Sequence, residues 1–196
     1  MFDFNKNDDV ITKVSNPLKA TPSSVIEFNV GELADTGMYR FKKLIEFDYG
    51  DRKITRYLVY SSVDDRECVF EVFPGNNGGL ETYVYNLAHT IPFSEDFMEV
   101  AGQRYLTTPE GIEYDRCVMP HADERIDGIA GKARIYNIET ERIEKEFGVQ
   151  IWDYQRDVDG RLEFLNIEMA EDSGMFKIFV GEMIEDIFYK FYQATK

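Results

Sequence analysis

Cysteine is scarce in this chain: Cys68 and Cys117 are the only two in 196 residues, far apart and in no CxxC arrangement. That excludes a secreted disulfide framework and a zinc ribbon, and it points to a reducing compartment, the cytoplasm. No run approaches 18 apolar residues, and residues 1–6 lack the basic region and apolar stretch of a signal peptide. The chain is therefore expected neither to span a membrane nor to be exported by that route. Basic residues are outnumbered, 22 against 37 acidic, for a net charge of −15. A surface of that sign opposes direct contact with nucleic-acid phosphates or an anionic bilayer, so the expected partner is another protein with a neutral or basic surface. A phosphate-binding P-loop is also missing, because Gly75, Gly78 and Gly79 are not followed by Lys-Ser or Lys-Thr. No nucleotide cofactor is implied.

What is present is globular: 43% hydrophobic and 30% charged residues, with 15 Phe and 12 Tyr. The length lies between one large domain and two small ones. Residues 94–196 carry 12 basic and 23 acidic side chains, residues 1–93 carry 10 and 14, so the negative charge is concentrated in the second half. Solubility is its ordinary explanation, steering of a basic partner the functional one.

Residues 1–24 hold Pro17, Pro22 and little apolar periodicity, and are expected to be an irregular lead-in. Strands are expected over 38–47, 53–60 and 67–73, where β-branched and aromatic runs alternate with turn residues. Residues 88–131 are the least regular, with short elements at 95–100 and 103–106. Residues 139–147 fit either a helix or a twisted strand. Val158-Asp159-Gly160 between the apolar runs 149–154 and 161–169 is a hairpin signal, and a further strand is expected over 175–180. At the end, Met183, Ile184, Ile187, Phe188, Phe191 and Tyr192 recur with helical spacing behind Glu182, Glu185 and Asp186, which predicts a C-terminal helix packed on the sheet.

Sliding the chain on itself by 94 residues aligns Gly37 with Gly131, Arg40 with Arg134 and Tyr60 with Tyr154. An offset of 95 aligns Asp64 with Asp159, Arg66 with Arg161 and Gly79 with Gly174, and matches Phe70 with Leu165, Val72 with Ile167, Tyr83 with Ile178 and Val84 with Phe179. The predicted fold is α+β, predominantly antiparallel β: two β-meander modules, candidates for an internal repeat, packed together with the C-terminal helix. The modules are placed at 25–100 and 101–196, with one continuous domain as the alternative.

Two groups of residues are candidates for chemistry. Glu113, Asp115, Cys117, His121, Asp123 and Glu124 offer oxygen, nitrogen and sulfur donors within twelve positions, enough for a divalent metal. Against this, the spacing matches no established ligand pattern, Arg116 and Arg125 offset part of the charge, and a solvated acidic loop is commoner. Cys117 with His121 or His89 also makes a Cys-His nucleophile conceivable, without a visible orienting group, while Cys68 reads as an inert buried thiol. The second group is Trp152, Tyr154, Arg156 and Arg161, where an aromatic and guanidinium surface would grip a peptide or small ligand, with core packing as the ordinary explanation.

The run Ile151-Trp152-Asp153-Tyr154-Gln155-Arg156 with Leu162-Glu163-Phe164-Leu165-Asn166-Ile167-Glu168 resembles a pattern in uncharacterised bacterial proteins of unknown function, encoded beside phage-shock-protein-A-like and glutathionylspermidine-synthase-like genes. The resemblance covers the C-terminal third, with echoes over 56–73. It implies an accessory or interaction role in envelope stress and brings no catalytic residues. The leading expectation is a non-enzymatic protein-binding or scaffold protein. The alternatives are a metal-dependent hydrolase or ligand-binding protein using 113–124, and an acidic mimic of nucleic acid.

Overall fold

The alternation of apolar runs with turn residues becomes, in the computed structural model of the protein, a chain of strands. The structure describes residues 11–14, 16–21, 24–29, 37–50, 52–61, 63, 65–75, 78–117, 127–137 and 139–194. The strands are β1 Ile11–Val14, β2 Ser24–Phe28, β3 Gly37–Asp48, β4 Lys53–Ser61, β5 Arg66–Pro74 and β6 Leu80–Pro92. After the helix α1 Glu95–Ala101 come β7 Tyr105–Thr107, β8 Glu113–Arg116, β9 Ile129–Tyr136, β10 Ile143–Val158, β11 Arg161–Ala170, β12 Met175–Met183 and β13 Tyr189–Ala194.

Eight of these strands close on themselves. β3, β4, β5, β6, β12, β11, β10 and β9 pair in that order, all antiparallel, and β9 returns to β3 through Leu44↔Tyr136 to Asp48↔Lys132. Closure leaves the barrel strands without an open edge along that ring. Tight turns set the order: Asp159 and Gly160 both take positive φ (54° and 82°), the conformation that a two-residue hairpin demands and that glycine adopts without penalty.

Strand alternation sorts the side chains into three cores. Inward-facing Phe47, Ile54, Phe73, Tyr83, Tyr85, Val149, Ile151 and Phe179 line the lumen. Outside, β2 and β13 cover Tyr57, Val59, Phe70 and Val72, with Ile26, Phe28 and Phe191 as the covering residues. On the opposite wall, α1, β7 and β8 cover Trp152, Tyr154, Leu165, Ile167 and Phe176. The start of α1 is fixed by Ser94, whose Oγ accepts from the Phe97 N–H at 3.1 Å.

The structure corrects the C-terminal reading. Residues 182–192 form no helix: β12 runs on to Met183, and β13 slots between β1 and β2. Tyr189 and Phe191 are buried, whereas Ile187 and Met183 of the supposed helical stripe are 66% and 50% exposed. The segment 189–192 also alternates with period two. The unpaired edges of β1 and β2, which a helix would leave unsatisfied, decide between the two patterns. The lead-in is corrected too: within residues 1–24, β1 pairs with β13, and Pro17–Lys19 forms a 3-10 turn that receives the Tyr57 hydroxyl on the Pro17 carbonyl at 3.1 Å.

Residues 25–100 and 101–196 are joined along two seams, β6 to β12 and β3 to β9. Each half contributes four consecutive barrel strands. Phe70, Val72, Leu165 and Ile167 all face outward, but Tyr83 and Phe179 face inward while Val84 and Ile178 face outward. The offset-95 matches therefore do not hold in the fourth strand. The hairpin of the first half, Ser61 to Arg66, is also longer than that of the second, Val158 to Arg161.

Candidate functional site

A charged side chain on the inward face of a closed barrel must find its counter-charge inside it. On β4 the alternation that turns Tyr57 and Val59 outward turns Arg56 into the lumen, where the residue is 5% exposed. Its Nε donates to Glu71 Oε2 on β5 at 2.5 Å, Nη1 forms an ion pair with Glu168 on β11, and Nη2 donates to Asn166 Oδ1 at 3.3 Å. Asn166 Nδ2 in turn donates to Asp153 Oδ1 at 2.7 Å, and Asp153 Oδ2 lies 3.6 Å from Arg52 Nη1. The guanidinium of Arg56 also sits 4.8 Å from the Phe47 ring centre, 5.6 Å from Phe179 and 5.7 Å from Tyr85. Burial pulls its pKa down, but Glu71 and the neighbouring tyrosines overcome this and the net shift is upward, so Arg56 stays charged. Burial beside Glu71 and Asp153 holds the Tyr85 hydroxyl well above its ordinary value, hence neutral.

The two sides of this cluster differ. On one side aromatic rings plug the barrel: Phe73 stacks on Tyr83 at 5.5 Å, Phe164 meets Tyr83 edge-on at 5.1 Å, Tyr49 stacks on Phe47 at 6.0 Å, and Arg52 lies 4.5 Å from the Phe73 ring centre. Such rings need room against the backbone. At Gly181 a Cβ would stand 2.2 Å from Tyr85 Cδ1 and 2.5 Å from the Val84 carbonyl oxygen, so a glycine is what lets the Tyr85 ring lie across β12.

On the other side lies a cavity of about 300 Å³, whose floor includes Arg56 and Glu168. Its walls are apolar, among them Ile45, Val69, Ile135, Phe147, Val149 and Phe179, and Lys43, Glu67, Leu87 and Lys177 stand toward its mouth. Leu87 and Lys177 are exposed, so the cavity opens to solvent there. An eight-stranded barrel is just wide enough for packed side chains or one small ligand, and here one end is packed and the other is hollow.

The residues singled out in the sequence lie elsewhere. Trp152 and Tyr154 are 1% and 0% exposed under α1 and β8. They cannot form a gripping surface, because β10 turns them to the covered outer wall, where the Tyr154 hydroxyl donates to the carbonyls of Ala101 and Gln103 at 2.9 and 2.7 Å. Arg156 is half-buried, donating to Glu163 Oε1 at 2.6 Å and lying over Tyr114, and Arg161 is exposed at the hairpin. Glu113, Asp115 and Cys117 are exposed along and just beyond β8, whereas His121, Asp123 and Glu124 lie outside the described residues. Among the described residues no three His, Cys, Asp or Glu side chains converge as a metal would require. Desolvation pushes the thiols of Cys68 and Cys117 up to about 12, with Asp153 adding to the effect at Cys117, so neither is a ready thiolate. Cys68 is buried, as expected.

The sequence reading missed Arg56, Glu71, Asn166 and Glu168. The available signal was polar or charged residues at alternate strand positions whose partners in the alternation are large and apolar. No helix among the described residues is long and apolar enough to cross a membrane. Compared with protein-family models, curated proteins and solved structures, the chain matches none.

Proposed function

We propose that this protein is a non-enzymatic binding protein whose barrel lumen takes up a small amphipathic molecule. The observation that carries the reading is the cavity of about 300 Å³ with apolar walls above the buried Arg56–Glu168 pair. Apolar walls supply affinity and a few fixed polar groups supply orientation, the usual division of labour in small-molecule sites. Stability offers a weaker reason for the charges, because a buried ion pair is often no better than an apolar replacement of the same shape. The reading keeps the expectation of a non-enzymatic protein and gives it a small molecule as its occupant. A role in envelope stress, implied by the resemblance of the C-terminal third, would then consist in sensing or carrying that molecule.

The test is binding of N-phenyl-1-naphthylamine, an environment-sensitive neutral fluorophore, to the wild-type protein and to Ala170→Trp, which fills the cavity from β11. Saturable fluorescence enhancement by wild type, lost in a folded Ala170→Trp variant, supports the lumen as the site. Absence of saturable binding by the wild type, or enhancement of equal amplitude and midpoint in the two proteins, removes it.

A further inference from the structure

The lumen charges do not balance at the cavity floor. Arg52 and Asp153 face each other on the plugged side, which leaves the single positive charge of Arg56 against two carboxylates, Glu71 and Glu168. The two acids are placed differently. The Glu71 side chain is 3% exposed and does not border the cavity, while that of Glu168 is 12% exposed and does. Glu168 Oε1 is buried and, besides its ion pair with Arg56, accepts no hydrogen bond among the described residues. The guanidinium is already directed at Glu71, Glu168 and Asn166 and enclosed by Phe47, Tyr85 and Phe179. An anionic head group arriving at the floor would have to displace Glu168 from Arg56 and would add to a surplus of negative charge in a poorly solvated space, where repulsion is strong.

From this we infer that the ligand is an amine-bearing amphiphile, entering with its ammonium group foremost and placing it against Glu168. This rests on the lumen being a binding site at all. A cation there supplies the missing counter-charge and donors for the Glu168 carboxylate. Lys43 and Lys177 stand toward the mouth, with no ion pair to either among the described residues. The Glu67 carboxylate at the same mouth is ion-paired with Lys42, so the two lysines disfavour a second positive charge there, and the trailing end of the ligand is neutral or anionic with the amine at one end only.

The experiment compares three probes of one chain length, n-octylamine as its ammonium ion, 1-octanol and octanoate, each competing with the neutral fluorophore on the full chain at neutral pH. The expected order is ammonium, then alcohol, then carboxylate, with at least about tenfold between the first and the last, equivalent to about 1.4 kcal/mol. In the near-isosteric Glu168→Gln the ammonium preference should fall to within about twofold of the alcohol. Octanoate displacing the fluorophore as well as the ammonium ion overturns the head-group assignment while leaving the lumen reading intact, and so does a preference unchanged in folded Glu168→Gln. If the variant does not fold, the wild-type order alone decides. Failure of the fluorophore itself to bind the wild type sinks the lumen reading and this inference with it.

Discussion

Arg56 on β4 and Asn166 on β11 face each other across the barrel, Nη2 to Oδ1 at 3.3 Å, although 110 positions separate them in the chain. The contact spans from one half of the ring to the other and belongs to a network in which Arg56 is the positive charge set against Glu71 and Glu168. Arg56→Met should therefore leave Glu71 and Glu168 buried without a counter-charge and cost about 3–5 kcal/mol. Combining Arg56→Met with Glu71→Leu and Glu168→Leu should recover most of that loss. Urea denaturation of the single and triple variants checks both statements, and equal destabilisation of the two would contradict the charge argument.

Trp152 is the only tryptophan, is 1% exposed, and lies 6.1 Å from the Phe176 ring centre. Its emission should be blue-shifted and shielded from acrylamide until global unfolding. On the same wall, Tyr154→Phe removes the hydroxyl that reaches the Ala101 and Gln103 carbonyls and should cost about 1–3 kcal/mol. Trp152 emission serves as the readout. A red-shifted, readily quenched native spectrum would contradict the burial of this wall.

Gly181→Ala forces a methyl group onto the Tyr85 ring and the Val84 backbone, and should cost about 1–3 kcal/mol. Gly37→Ala, where an added Cβ meets nothing within 4 Å, should stay within about 0.5 kcal/mol of wild type. Thermal melts of the two variants side by side separate packing from glycine content as the cause.

Alkaline pH should destabilise the fold before any of its buried groups ionise. Desolvation raises Cys68 from 9.0 and Tyr57 from 10.0, each to about 12. Their contribution is fully present below the ordinary values and is lost as pH rises toward about 12, because the unfolded chain ionises first. Cys68 alone should account for about 2 kcal/mol between about pH 8 and about pH 10.5, and Cys68→Ala should show a correspondingly shallower loss. Denaturation midpoints at the two pH values measure the difference.

The strands and hairpins were legible because their signals are local: alternation over 53–60 and 161–169, and Asp159-Gly160 between apolar runs. The barrel was not, since closure depends on β9 pairing with both β3 and β10, and nothing in residues 129–136 distinguishes a strand with two neighbours from one at an edge. The site was hidden by the same closure. Phe164, Asn166 and Glu168 share the more polar face of their strand, which in an open sheet belongs to solvent, and only the ring of eight turns that face into a lumen. The terminal segment was misread because 183–192 satisfies a helical spacing over its length and a strand spacing over 189–192, and its partners lie in residues 11–14 and 24–28.

That last pairing constrains how the protein is made. Tyr192 on β13 donates to Glu27 on β2 across 165 positions of chain, and Phe191 stands in register with Ile26. During translation β2 emerges early, while the strand that completes its ladder emerges after the whole barrel sequence has been synthesised. Until then the nascent chain carries one edge of β2 unsatisfied and an aromatic strip on the outer wall without its cover, the kind of surface that chaperones hold and neighbouring ribosomes bring into contact. Folding on the ribosome can shape the early hairpins, but the outer wall is sealed only once β13 has emerged behind the barrel strands, and slowed synthesis of the stretch before residue 189 prolongs the aggregation-prone interval.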